Sequence, residues 1–243
     1  MIEDRSVLAV VPARGGSKGI PLKNLREIDG VPMVARVGLC AREVPELDRI
    51  VVSTDHEEIA RVAESAGIAA PFRRPPDLAG DRIGDLEVLR HALLECERLD
   101  NTIYDIVVML QPTSPLREPV HVSDTIRMLA AGDWDAVWTV SMSDSKAHPL
   151  KQLTIADEQL HLWDPDGADI IARQQLTPVY HRNGVAYAIQ RDCLLEQETI
   201  FGACTGALVL DEHLISIDTE WDIEMVEYLL RRAGPRPSPS TPS

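Results

Sequence analysis

The sequence predicts an α/β protein with a mostly parallel, Rossmann-like sheet flanked by helices. Three observations carry this. Short strand-like runs (Val7 to Val11, Arg49 to Ser53, Tyr104 to Leu110, Ala136 to Val140) alternate with longer segments of helical periodicity. Glycine- or proline-rich segments follow the first and third runs, at the strand ends where open α/β sheets bind ligands. The 243 residues are 44% hydrophobic, enough for one main core.

The elements follow in order. Val7 to Val11 is short and β-branched enough for a buried parallel strand, and it delivers Pro12 to Asn24, a loop with Gly15, Gly16 and Gly19 beside Arg14, Lys18 and Lys23. Glycines let backbone approach a ligand closely and cations draw anions, so the loop reads as a polyphosphate cradle. It is neither a P-loop, because Ser17-Lys18 precedes Gly19, nor the dinucleotide Gly-x-Gly-x-x-Gly. Met33 to Val44 is a helix, Arg49 to Ser53 a second strand, and Thr54 with Glu57 has capping-box spacing for a helix reaching Ala66 and stopped by Gly67. Phe72 to Asp81 holds too much proline for a regular element and reads as a ligand rim. Asp85 to Leu99 is an amphipathic helix.

Tyr104 to Leu110 is the most apolar strand and ends in Gln111-Pro112-Thr113-Ser114-Pro115-Leu116-Arg117. Pro119 to Ala131 is a helix stopped at Gly132, and Ala136 to Val140 a strand. Lys151 to Trp163 and Val185 to Ile189 alternate weakly, as inserted hairpins would. Gly206 to Leu210 is a small strand, and Leu214 to Ile217 is read as a strand leading to Asp218, with Ser216 on the same face as Asp218. Thr219 and Asp222 have capping-box spacing for a helix to about Arg232, which places Asp218 just before a helix N-terminus, where a carboxylate could hold Mg²⁺. The main domain is expected over residues 1–233 and a disordered Pro/Ser tail over 234–243.

These spaced residues resemble the acylneuraminate cytidylyltransferases, the CMP-sialic acid synthetases. The likeness rests on Arg14-x-x-Ser17-Lys18-x-x-Pro21-x-Lys23-Asn24, Arg74-Pro75-x-x-Leu78-Ala79-x-Asp81, Gln111 to Arg117 and Arg173 to Tyr187, all in family order. It implies a nucleotide-diphospho-sugar transferase-like fold and transfer of CMP from CTP to the anomeric hydroxyl of a nine-carbon α-keto sugar acid. It further implies nucleotide contacts from Ala13, Arg14, Gly15, Lys18, Lys23, Asn24, Arg74 and Asp81, with Arg14, Lys18 and Asp218 catalytic and Mg²⁺ on Asp218. Sugar contacts are implied for Gln111, Thr113, Ser114, Lys151, Arg173, Gln175, Arg182, Asn183 and Tyr187. The family is typically homodimeric, so the insertion, about residues 146–191, is expected to reach the partner's sugar pocket. The chain departs from the pattern at Ser216, where an acid is usual, at His181-Arg182, where the arginine is displaced by one, and at Arg82 to Asp85, where small hydroxyl residues are usual. Two rival readings are a transferase for another sugar or base, and a non-catalytic nucleotide-binding regulator.

The formal charge of −15 disfavours nucleic acid and anionic membranes as partners, so an anionic ligand must be met by a local cluster of cations. Cys40, Cys96, Cys193 and Cys204 are too widely spaced for a zinc site or a disulfide framework. With no secretory leader and no membrane-length apolar run, a soluble cytoplasmic protein is expected.

Overall fold

The computed structural model describes residues 1–233; the tail expected at 234–243 lies outside them. Ten strands and six helices are described: β1 (Val7–Pro12), β2 (Glu27–Ile28), β3 (Val31–Pro32), α1 (Met33–Ala41), β4 (Arg49–Ser53), α2 (Glu57–Ser65), α3 (Asp85–Asp100), β5 (Ile106–Met109), α4 (Pro119–Ala131), β6 (Ala136–Met142), β7 (Leu153–Ala156), β8 (Gln159–Leu162), β9 (Tyr180–Gln190), α5 (Arg191–Leu195), β10 (Thr205–Val209) and α6 (Glu220–Ala233). The central sheet has the order β10-β6-β9-β5-β1-β4, with β1 parallel to β4 and β5, and β10 parallel to β6.

Alternation along β1 shows why both faces need cover. Val7, Ala9 and Val11 pack with α1, α2 and α4, whereas Leu8 and Val10 pack with Leu89, Leu93 and Cys96 of α3 and Leu194 of α5. Successive side chains on a strand point to opposite faces, so a run without polar residues is what a doubly covered strand requires. A third cluster (Ile20, Ile28, Met33, Ile217, Ile223, Val226) packs α6 against the glycine-rich loop and the β2–β3 hairpin.

Three expectations are corrected. Val185 to Ile189 is no inserted hairpin: it lies within β9, antiparallel to both β5 and β6 at the middle of the sheet. Thr54 forms no capping box with Glu57; its hydroxyl accepts the His56 N–H, and no side chain caps α2. Leu214 to Ile217 joins no ladder, although Ser216 and Asp218 are exposed on either side of buried Ile217.

The β7–β8 hairpin stands apart as a separate two-stranded sheet. It and the segment behind it expose Leu153, Ile155, Leu160, Trp163 and Ile171, the last at 93%. No helix among the described residues is long and apolar enough to cross a membrane.

Candidate active site

A cavity of about 300 Å³ opens at the carboxyl ends of β1 and β5. The loop after β1 lines it with Arg14, Lys18, Lys23 and Asn24, the segment before α3 with Arg74 and Asp81, the first residue of α3 with Asp85, and the segment after β5 with Gln111 and Thr113. Four cations thus meet in a chain whose formal charge is −15.

Neighbours hold the loop in place. The Gly15 N–H donates to Asp55 Oδ1 at 2.8 Å, and Asn24 Nδ2 donates to the Arg14 carbonyl at 2.9 Å. Asp55 is therefore a clamp on the loop. Glycine is required at position 19, since a Cβ there would sit 2.8 Å from the Asp218 carbonyl oxygen. Lys23 Nζ joins the same corner, donating to the Ile217 carbonyl at 2.8 Å and to Asp218 Oδ1 at 3.0 Å. Lys23 thus ties the loop to the segment before α6.

Asp81 bridges the two loop cations, Arg14 Nη1 to Oδ1 at 2.8 Å and Lys18 Nζ to Oδ2 at 2.7 Å. The Lys18 ammonium first, and the Arg14 guanidinium second, hold its carboxyl below the usual range. The carboxylate takes the partners that the sequence reading gives to phosphate oxygens.

Arg74 is 5% exposed; its Nε donates to Ser53 Oγ and its Nη2 to the Ser53 carbonyl. Burial lowers its pKa to about 10, so it stays charged at neutral pH. Sequence reasoning did not assign Asp85 to the site, although it singled out the altered loop. Burial raises the Asp85 carboxyl above its usual range, against the opposing pull of Arg182 and Arg74.

Several residues expected at the sugar form an internal polar network. Asn183 Oδ1 accepts from the Thr139 hydroxyl and the Val185 N–H, and its Nδ2 donates to Ser141 Oγ. Ser114 Oγ donates to the Asn183 carbonyl, and the Tyr187 hydroxyl accepts the Gly184 N–H while its ring stacks on Trp138 at 4.6 Å. All three residues are buried, and buried polar groups must be paired. Arg182 lies with its guanidinium carbon 5.8 Å from the Trp138 ring centre, so the displaced arginine turns to an aromatic face. Ala13 packs in the core with its N–H on the Ser53 carbonyl.

Gln111 and Thr113 do line the cavity, whereas Lys151, Arg173 and Gln175 do not. Gln175 closes a local turn, accepting the Ile171 and Ala172 N–H groups. His148 accepts the Leu150 N–H, and His181 contacts Ser143 Oγ.

Arg117 was missed beyond its place in the motif. It is buried and donates to the carbonyls of Gln111, Gly184 and Val185, fastening the end of β5 to β9. Gly184 fits there because its φ is +71° and a Cβ would lie 2.4 Å from Gln111 Oε1.

For a divalent cation the donor set is thin. Among the described residues no three His, Cys, Asp or Glu side chains form a metal-binding group. The Asp218 carboxylate is 78% exposed with Oδ1 on Lys23, while Asp222 is committed to the α6 cap, accepting from the Thr219 N–H and hydroxyl. This set fits a hard cation that takes its remaining ligands from phosphate oxygens and water; it does not fit an ion held by protein alone.

Residues 8–230 match the profile of the family described as Cytidylyltransferase. The CMP-N,N'-diacetyllegionaminic acid synthase of Campylobacter jejuni is 32% identical over 92% of this chain and 94% of its own. An N-acylneuraminate cytidylyltransferase of Streptococcus agalactiae is 33% identical over 91% of this chain and 53% of its own length. A CMP:2-keto-3-deoxy-manno-octonic acid synthetase solved with CTP superposes with a TM-score of 0.71 at 18% identity, covering 94% of this chain and 99% of that one, a likeness of fold alone. On the profile and the near-complete overlap with its relatives, the chain belongs to the cytidylyltransferase family.

Proposed function

We propose that this enzyme transfers CMP from CTP to the anomeric hydroxyl of a nonulosonic, sialic-acid-like sugar acid. The observation that carries this is the convergence of Arg14, Lys18, Lys23 and Arg74 on one cavity in an otherwise acidic chain. In the reaction the anomeric oxygen bonds to the α-phosphorus while the α–β anhydride bond breaks. The bonding pair leaves with pyrophosphate, and the hydroxyl proton passes to water. Such chemistry asks the protein chiefly for positioning and charge neutralisation.

Arg14 and Lys18 exchange Asp81 for the oxygens of the leaving pyrophosphate. Asn24 and Asp55 keep the loop in shape, and Gln111 and Thr113 present amide and hydroxyl groups to the acceptor. Asp218 would hold Mg²⁺, which supplies charge neutralisation on the phosphate oxygens when bound. The names of the relatives support a sugar acid of the sialic and legionaminic type. The cysteines form no disulfide among the described residues, which is compatible with a cytoplasmic location.

The test is to incubate the protein with each nucleoside triphosphate, Mg²⁺ and a panel of nonulosonic acids. Pyrophosphate should appear with CTP and at least one such acid, and its absence across the panel refutes the assignment. Arg14→Ala and Lys18→Ala should each lower turnover roughly tenfold or more, because each removes a cation aimed at developing charge. Wild-type rates in both variants would take the loop out of the mechanism.

The exposed apolar groups of the β7–β8 arm support a homodimer in which the arm reaches a second copy's sugar pocket. Lys151, Arg173 and Gln175 would act there. Sedimentation of active protein at micromolar concentration should give a dimer; a monomer that retains full activity refutes the arrangement.

A further inference from the structure

Position 56 carries a side chain that its place in the helix does not explain. His56 is the N-cap of α2, where serine, threonine, aspartate and asparagine are favoured because their side chains accept an orphan N–H of the first turn; the imidazole makes no such bond. Its Nδ1 is buried and has no hydrogen-bond partner among the described residues, a cost that a small capping side chain would avoid. Helix stability therefore does not account for a histidine here.

What the ring meets is the glycine-rich loop. A Cβ at position 15 would lie 3.1 Å from His56 Cβ and Cδ2 and 3.3 Å from Cγ, so the imidazole closes the space beside the Gly15 backbone. Gly15 is the pivot between the two loop cations. Its N–H is held by Asp55, its carbonyl accepts the Ser17 N–H at 3.0 Å, and on the other side of Arg14 the Ala13 N–H is tied to the Ser53 carbonyl. These hydrogen bonds fasten the loop to the end of β4, and the ring adds a steric stop at the same place. In the proposed reaction Arg14 and Lys18 leave Asp81 for phosphate oxygens. Two side chains can make that exchange in register only if the backbone that carries them keeps its place. His56 itself does not line the cavity, so it would act through the loop.

We propose that His56 is a positioning residue for the transfer: its imidazole seats Gly15 and thereby keeps Arg14 and Lys18 aimed at the triphosphate. The inference rests on the reading of this loop as the polyphosphate cradle.

The experiment is calorimetric titration of CTP with Mg²⁺, and separately of inorganic pyrophosphate with Mg²⁺, into the wild-type chain, His56→Ser, Gly15→Ala and the double variant, alongside thermal unfolding of each. It needs no acceptor sugar. Serine is a favoured cap and leaves no ring nitrogen unpaired, so His56→Ser should melt at or above the wild-type temperature. It should nevertheless bind CTP roughly tenfold more weakly, because a loop that is no longer held in its bound shape must be ordered by the ligand. Pyrophosphate should lose a similar factor, since it is the phosphate part that the loop meets. Gly15→Ala puts a methyl group against the ring and should weaken CTP as well. If the ring acts through this contact, the double variant should bind no more weakly than the weaker single variant. Wild-type affinity in His56→Ser, weakening that comes only with a lower melting temperature, or losses that multiply in the double variant overturns the inference and leaves the cradle standing. A wild-type chain that binds no nucleoside triphosphate would overturn the cradle reading and the inference with it, so the two failures are told apart.

Discussion

Asp218→Asn should abolish Mg²⁺-dependent turnover, a loss of roughly a hundredfold or more, while CTP binding measured without metal stays near wild type. The expectation follows from the sparse carboxylates at that corner. Asp222 is committed to the α6 cap and position 216 is a serine, so Asp218 remains as the carboxylate that meets the loop, through Lys23. Its ion pair with Lys23 is exposed on the aspartate side, and such pairs contribute about 0–1 kcal/mol, so the variant should fold normally. Calorimetry should find weak Mg²⁺ binding to the free protein, strong binding with CTP, and tighter binding in Ser216→Asp. Full Mg²⁺-dependent turnover in Asp218→Asn would make that residue a structural aspartate.

Arg117→Met should destabilise the fold by about 3–5 kcal/mol, a large share of a typical total of about 5–15 kcal/mol. Three carbonyls, of Gln111, Gly184 and Val185, take their donors from this one buried side chain. A methionine of similar length would leave those acceptors unpaired, and each such group costs about 1–3 kcal/mol. Lysine should rescue little, because one ammonium cannot reproduce the planar fork that reaches carbonyls on two strands. Urea unfolding would show the effect as a lower midpoint at unchanged slope, and a midpoint near wild type would mean that water replaces the guanidinium.

Much of the architecture was legible because local chemistry and global fold agree in β1, the loop and α4. Val7 to Val11 can only be a doubly covered strand, and the helix expected from Pro119 to Ala131 has those bounds. β9 was misread for a physical reason. Alternation of small and large apolar residues looks the same in an inserted hairpin and in an antiparallel strand between two others, since both obey the period of two. The site was legible where cations cluster along the sequence, as at Arg14, Lys18 and Lys23. The mutual pairing of polar residues was not legible: Ser114, Asn183 and Tyr187 have the chemistry of ligand contacts, and the fold adds their internal partners. The meeting of Arg14, Lys18 and Asp81 crosses more than sixty residues of sequence and leaves no local trace.

That meeting makes the protein carry its own tethered counter-anion. Between turnovers Arg14 and Lys18 are not bare charges repelling each other, so the loop need not spring apart when product leaves. A triphosphate entering the site swaps one anion for another instead of condensing onto free cations. Ions in solution compete with both partners of such a swap, so nucleotide affinity should vary less with salt than the number of basic side chains would imply. The displaced carboxylate stays within reach and is ready to help expel pyrophosphate, which favours release over tight retention of the leaving group.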